Sequence, residues 1–235
     1  MGVLEQYSNR SLSFQSDALN AVLGILKSFR SEPDPVGSIW GVPFGNYATA
    51  EKTPNPRFCL YWRNAESSTR RHGFPSWSPL GWEGSKWFHP FQHPISAPSI
   101  WALWEPCDRQ YSTVTTIGVS HELLMSAYIL RLFVVYNGED RIPGIVLPTP
   151  DDTWSVLQWD DSDAENEEWK SVLCAVTFSR ESWGRSNYTV YSIIILEARG
   201  EKYERKGLSQ LTVKNDGKTP ENWFEDRVKQ TIILV

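Results

Sequence analysis

The chain carries one segment of helical period followed by many short runs of strand period. Over 16–29, SDALNAVLGILKSF, the apolar residues Ala18, Val22, Ile25 and Phe29 form one stripe, widened by Leu19 and Leu26. Ser16 is placed to cap the first turn, and Asp17 puts negative charge where the unpaired amides point. Gly24 costs about 1 kcal/mol of helix propensity inside this segment, which suggests close packing there. Pro33 and Pro35 end it. The spacing predicts an amphipathic helix near the N-terminus.

Beyond the helix, short apolar runs recur between Pro, Gly, Asn and Asp. Their β-branched and aromatic content predicts strands at Ile39–Pro43, Phe58–Trp62, Ile100–Trp104, Leu130–Tyr136, Ile145–Leu147, Ser171–Phe178, Tyr188–Glu197, Gln210–Val213 and Gln230–Val235. VSHELLMSAY (119–128) fits a helical turn or a strand equally, and NWFEDRVK (222–229) fits a short helix. DDSDAENEE (160–168) holds six carboxylates in nine residues. Self-repulsion and low hydrophobicity predict a solvated, mobile loop there, one that would separate a C-terminal β segment from the preceding sheet. There is no internal repeat. The expected fold is α+β: a mainly antiparallel, barrel-like β-sheet domain over 1–235, with an N-terminal amphipathic helix.

Composition narrows the partners. A chain of 235 residues can bury a core without staples, and its 12 tryptophans demand buried area. A net charge of −5 argues against a general nucleic-acid surface. Cys59, Cys107 and Cys174 lie far apart and odd in number, which predicts reduced, buried thiols rather than disulfides or a metal cluster. The N-terminus lacks the pattern of a secretory signal, and the longest apolar run, Ile193 to Leu196, is too short to span a bilayer. The expectation is a cytoplasmic protein with no membrane and no nucleic acid among its partners.

The search for chemistry returns little. His89 and His93 have a zinc-like spacing, but Pro90 and Pro94 keep them off a helix, and His72 and His121 complete the histidines. The acidic run lacks the glycine a calcium loop needs. No nucleophile elbow, dinucleotide fingerprint or phosphate loop occurs, and the carboxylates Glu83, Asp151 and Asp152 carry no pairing signal. We therefore expect no catalytic set, no metal and no cofactor. The candidate binding residues are Arg70, Arg71, Trp77, Trp82 and Trp87, gathered around HGFPSWSPLGWEGSKWF (72–88). Arginine beside aromatic rings suits anion or base stacking, and exposed rings suit sugars. The opposing reading, core packed between turns beside a solvated arginine loop, weighs more, because the tryptophans run from Trp40 to Trp223.

These residues also resemble a family. YSNRSLSFQSDALNAVLGIL (7–26), IWGVP (39–43) and RRHGFPSWSPLGWEG (70–84) are similar, in order, to segments that follow the HET domain in fungal heterokaryon-incompatibility proteins. There the third segment reads P-S-W-S-W-x-G-W-x-G; Pro79 stands here for its second tryptophan, a departure expected to loosen local packing. HELLMSAYILRLFVV (121–135), GIVLPTPDDTW (144–154), YSIIILEARGEKYERKGLSQL (191–211) and KQTIILV (229–235) extend the likeness. The segment 191–211 holds a Y-x-R-x-G-x-G turn pattern with Ser209 in place of its last glycine. The resemblance implies the C-terminal accessory region of such proteins, without the HET domain linked to cell death after non-self recognition. It implies a non-catalytic role through protein contact. A tryptophan-rich carbohydrate- or small-ligand-binding β module is the alternative, and a hydrolase ranks last.

Overall fold

Alternation of inward and outward side chains over residues 123–135 produces one long strand around which the molecule is built. In the computed structural model, two short helices lead the chain, α1 (Val3–Ser8) and α2 (Ala18–Ser28). A first hairpin and its neighbour follow as β1 (Val36–Ile39), β2 (Val42–Tyr47) and β3 (Asn55–Phe58). A small ribbon pairs β4 (Trp62–Asn64) with β5 (Lys86–Phe88). The large sheet holds β6 (Arg109–Gln110), β7 (Thr113–Thr116), β8 (Leu123–Asn137), β9 (Ile142–Val146) and β10 (Trp154–Trp159). It continues through β11 (Ser171–Glu181), β12 (Tyr188–Arg199), β13 (Lys202–Lys214) and β14 (Gln230–Leu234). The described residues are 3–8, 10, 14–28, 36–47, 55–58, 60, 62–66, 68–88, 109–110, 113–116, 121–139, 142–146, 154–160, 171–181, 188–214 and 229–235.

The fold is mostly antiparallel β with a closed six-stranded barrel. The circuit runs β8–β9–β10–β13–β12–β11 and back to β8. At one end β14 wedges between β8 and β13, antiparallel to the first and parallel to the second. Leu130, Leu132, Val134, Cys174, Val176, Tyr191, Ile193 and Ile195 fill the interior. A second layer covers part of the barrel's outside. There Leu123, Met125 and Ala127 of β8, with Ile194 and Leu196 of β12, pack under Val42, Leu60 and Trp77. Strand β12 is therefore buried on both faces, which is why its run SIIIL does not alternate.

Several expectations change. The helix begins at Ala18, and Ser16 lies in a 3-10 turn, Gln15–Asp17, instead of capping. Ala18, Val22 and Leu26 are buried as the stripe requires, but a Cβ on Gly24 would touch nothing within 4 Å, so close packing is not its role. The ambiguous segment 119–128 joins β8, because cross-strand pairing with β7 and β14 outweighs local preference. Ile39–Pro43 is a hairpin turn, with positive φ at Trp40 and Gly41, where the backbone twist suits a two-residue turn. Strand β10 was not anticipated. It and β11 share one sheet, so residues 160–168 do not divide the β structure. The candidate strand 100–104 and most of the 222–229 helix lie outside the described residues, as do Phe29, Cys59 and Cys107. Cys174 is buried in the barrel, where burial pushes its thiol far up and keeps it protonated.

Candidate functional site

The PSWS segment is where four parts of the chain meet. Ser76 donates its hydroxyl to the Val235 carbonyl and accepts the Arg205 amide at 2.9 Å, while its own amide reaches Val235 at 2.9 Å. Ser78 accepts the Leu80 amide at 3.0 Å, capping the turn Pro79–Gly81, and donates to the Trp40 carbonyl at 2.5 Å. Pro79 opens that turn, where a missing amide costs nothing. Pro79, Leu80 and Gly81 are all buried, so the proline has not left this turn open to solvent. A Cβ on Gly81 would lie 2.2 Å from the Pro75 carbonyl oxygen, so only glycine fits the approach.

The indoles are spent inside. Trp62, Trp77 and Trp82 are each 0% exposed. Their Nε1–H groups donate to Trp77 O at 3.1 Å, His121 O at 3.0 Å and Ser76 O at 2.8 Å respectively. Trp77 and Trp82 therefore have no face to offer a ligand, which corrects their candidacy as binding residues. Arg70 donates to the carbonyls of Arg71 at 2.5 Å, Gly81 at 2.8 Å and Phe74 at 2.6 Å. Arg71 donates to Leu80 at 3.3 Å and Trp82 at 2.8 Å. Both arginines thus fasten the loop 71–82, because a loop this buried has carbonyls that need donors besides its few backbone amides. Of the five candidates Trp87 alone is exposed, at 51%, with the Arg63 guanidinium 5.3 Å from its ring centre.

Arg205 fastens the loop 71–82, a latch over the barrel's outside, to the barrel. A bulge in β13, between the pairs Ile195–Gly207 and Leu196–Arg205, shifts the alternation by one residue. Arg205 is thereby aimed outward under the latch instead of into the barrel. Its guanidinium sits 3.7 Å above Trp62 and is fully buried. It donates to Asp160 Oδ2 at 2.6 Å, to the Leu60 carbonyl at 2.6 Å and to the Trp62 carbonyl. Asp160, 1% exposed, is no part of a solvated loop. Burial pushes its carboxyl above the usual range, and Arg205 beside it pulls the other way. The Asp160 carbonyl accepts from Asn64 Nδ2 at 2.9 Å and the Ser68 amide at 3.1 Å. The expected Y-x-R-x-G-x-G turn is thus a bulged strand, in which Ser209 ties β13 to β10 through the Val156 carbonyl at 2.8 Å.

Sequence reasoning missed Arg205 and Asp160. The Y-x-R-x-G pattern contained the first, and the acidic run disguised the second. Among the described residues no group of three or more His, Cys, Asp or Glu side chains could hold a metal, and His89, His93, Asp151 and Asp152 lie outside them. No described helix is long and apolar enough to cross a membrane.

A surface feature completes the inventory. On β8 the odd-numbered residues face outward throughout. Leu123, Met125 and Ala127 are covered, but Phe133 is 65% and Val135 37% exposed. Register places Val135, Gly144 and Val156 in one row across β8, β9 and β10. Val156 is 42% and Ile142, on the same face, 46% exposed. Comparison with protein-family models, curated proteins and solved structures yields no match.

Proposed function

We propose that the chain is a non-catalytic interaction domain that acts by protein–protein contact, as the accessory region of heterokaryon-incompatibility proteins is expected to act. The observation that carries this reading is the uncovered continuation of the barrel's outer face. Val135 and Val156 share one row through Gly144, and Phe133 and Ile142 lie on the same face, beyond the part that the latch covers. Several exposed apolar side chains on one face of a sheet favour a contact surface there. The residues that carry the family resemblance support the same reading in a different way. Segments 39–43 and 203–209 are tied to the 70–84 loop through Ser78 and Ser76, which supports a scaffolding role for the signature.

The test is a double variant, Phe133→Asp with Val156→Asp, compared with wild type by proximity labelling in cells and by sedimentation of the purified chain. The side chains are 65% and 42% exposed, so the variant should melt only a few degrees below wild type. A set of neighbours or a self-association lost in the variant supports the reading. Identical profiles for both proteins, or turnover of a nucleotide or sugar by the purified chain, overturn it. The carbohydrate reading retains only Trp87, one of whose faces Arg63 overlies. We place the protein in the cytoplasm as part of the same proposal.

A further inference from the structure

The bare stretch of β8 is apolar in its middle and charged at its two ends, with opposite signs. Its outward residues are Arg131, Phe133, Val135 and Asn137, and Glu139 follows in the turn to β9. Arg131 and Glu139 are both exposed, and they stand at equal spacing before and after Val135. An extended strand holds them roughly 20–25 Å apart, too far to pair within one chain. Arg131 donates to the Ser171 hydroxyl at 3.3 Å, but among the described residues no carboxylate pairs with it and no cation pairs with Glu139.

A face of this kind is complementary to itself when reversed. Consider a two-fold axis that runs across the strands along the row Val135, Gly144 and Val156. Each valine then meets its own copy. The row Phe133–Val146 lies against the row Asn137–Ile142 of the second copy, which brings Val146 and Phe133 onto an isoleucine that is 46% exposed. Arg131 approaches Glu139 of the second copy, and symmetry makes that pair twice. The alternative axis, along β8, sets Arg131 against Arg131 and forfeits both pairs. Charge therefore selects the antiparallel arrangement. An apolar centre inside a charged rim is also the usual anatomy of a protein interface.

We infer that the outer face of β8–β10 closes on a second copy of this chain, about a two-fold axis at Val135. The inference rests on the contact reading above and names its partner. The apolar side chains are few, and a standard interface covers about 800 Å² on each partner. The dimer is accordingly weak, with a dissociation constant on the order of 100 µM.

Sedimentation of the full chain from about 10 to about 500 µM reads this equilibrium. Arg131→Glu and Glu139→Arg each turn two attractive pairs into two repulsive ones, and each should weaken self-association about tenfold. Both positions are exposed, so the melting curves should stay close to wild type. An equimolar mixture of the two variants puts opposite charges together again and should dimerise as wild type does, and so should the double variant. Rescue by mixing is the result that a merely structural role for either residue does not produce. The inference is overturned if wild type stays monomeric throughout, if Phe133→Asp with Val156→Asp still dimerises, or if the mixture associates no better than its components. A monomeric wild type whose neighbours in cells are nonetheless lost in Phe133→Asp with Val156→Asp assigns the face to a different protein. That result overturns the second copy and keeps the contact reading, whereas a monomer with unchanged neighbours overturns both.

Discussion

Replacing Arg205 by methionine keeps most of the side chain's volume and removes all of its donors. The guanidinium bonds Asp160, Leu60 and Trp62 in a site where Arg205 is 0% and Asp160 1% exposed. Each orphaned buried carbonyl costs about 1–3 kcal/mol. A buried ion pair broken on one side costs about 3–5 kcal/mol, because the remaining charge has no partner. These terms overlap, and methionine retains part of the contact with Trp62. The expected loss is about 4–6 kcal/mol, a large share of the total stability of a typical domain. Urea unfolding followed by tryptophan fluorescence measures it, with an unchanged slope showing that the same surface unfolds.

The same variant predicts a pH signature. Without Arg205, the Asp160 carboxyl loses the cation that opposes its burial, so its folded pKa rises further above the unfolded one. The stability contribution of such an acid is fully present below the unfolded pKa and is lost as pH rises through the folded value. The deficit of Arg205→Met against wild type should therefore narrow between pH 7 and pH 5. Adding Asp160→Leu removes the stranded charge and should recover much of the loss. A deficit under about 1.5 kcal/mol, or singles that add in the double variant, would refute the argument that this pair fastens the latch.

Other outcomes follow from single observations. Gly24→Ala should stabilise by up to about 1 kcal/mol in thermal melts, because the helix gains propensity and the new methyl meets open space. Lys86 has a folded pKa of about 7 against an ordinary 10.5, so between those values the unfolded chain holds the extra proton and stability should climb with pH. The climb, about 3–5 kcal/mol in all, should vanish in Lys86→Met when denaturation is repeated across pH 7–10. Trp77→Phe should cost about 2–3 kcal/mol, since it strips the His121 carbonyl of its donor and shrinks a fully buried ring; a loss under 1 kcal/mol would mean that the segment tolerates repacking.

Periodicity alone placed a helix over 16–29, found at Ala18–Ser28, and β-branched, apolar content located the strands over 171–178 and 188–197, because both signals are local to the segment. Composition anticipated that Trp62, Trp77, Trp82 and Trp159 belong to the interior, since rings of that size need buried area, while Trp87 stays exposed. The role of Asp160 was hidden: nothing local distinguishes one carboxylate of an acidic run from its neighbours, and only Arg205, 45 residues away, makes it structural. Arg70 and Arg71 were equally opaque, because the carbonyls that receive them are exposed as needy only when the loop 71–82 folds over itself. The side on which Arg205 projects was decided by one bulged residue in β13, which reverses every side chain beyond it. Sequence thus determined which segments are helix or strand and which residues are apolar enough to be core. Tertiary structure decided which polar groups are buried together and which stretch of the barrel's outer face is left bare. Those are properties of partners distant in the chain, and no local pattern encodes them.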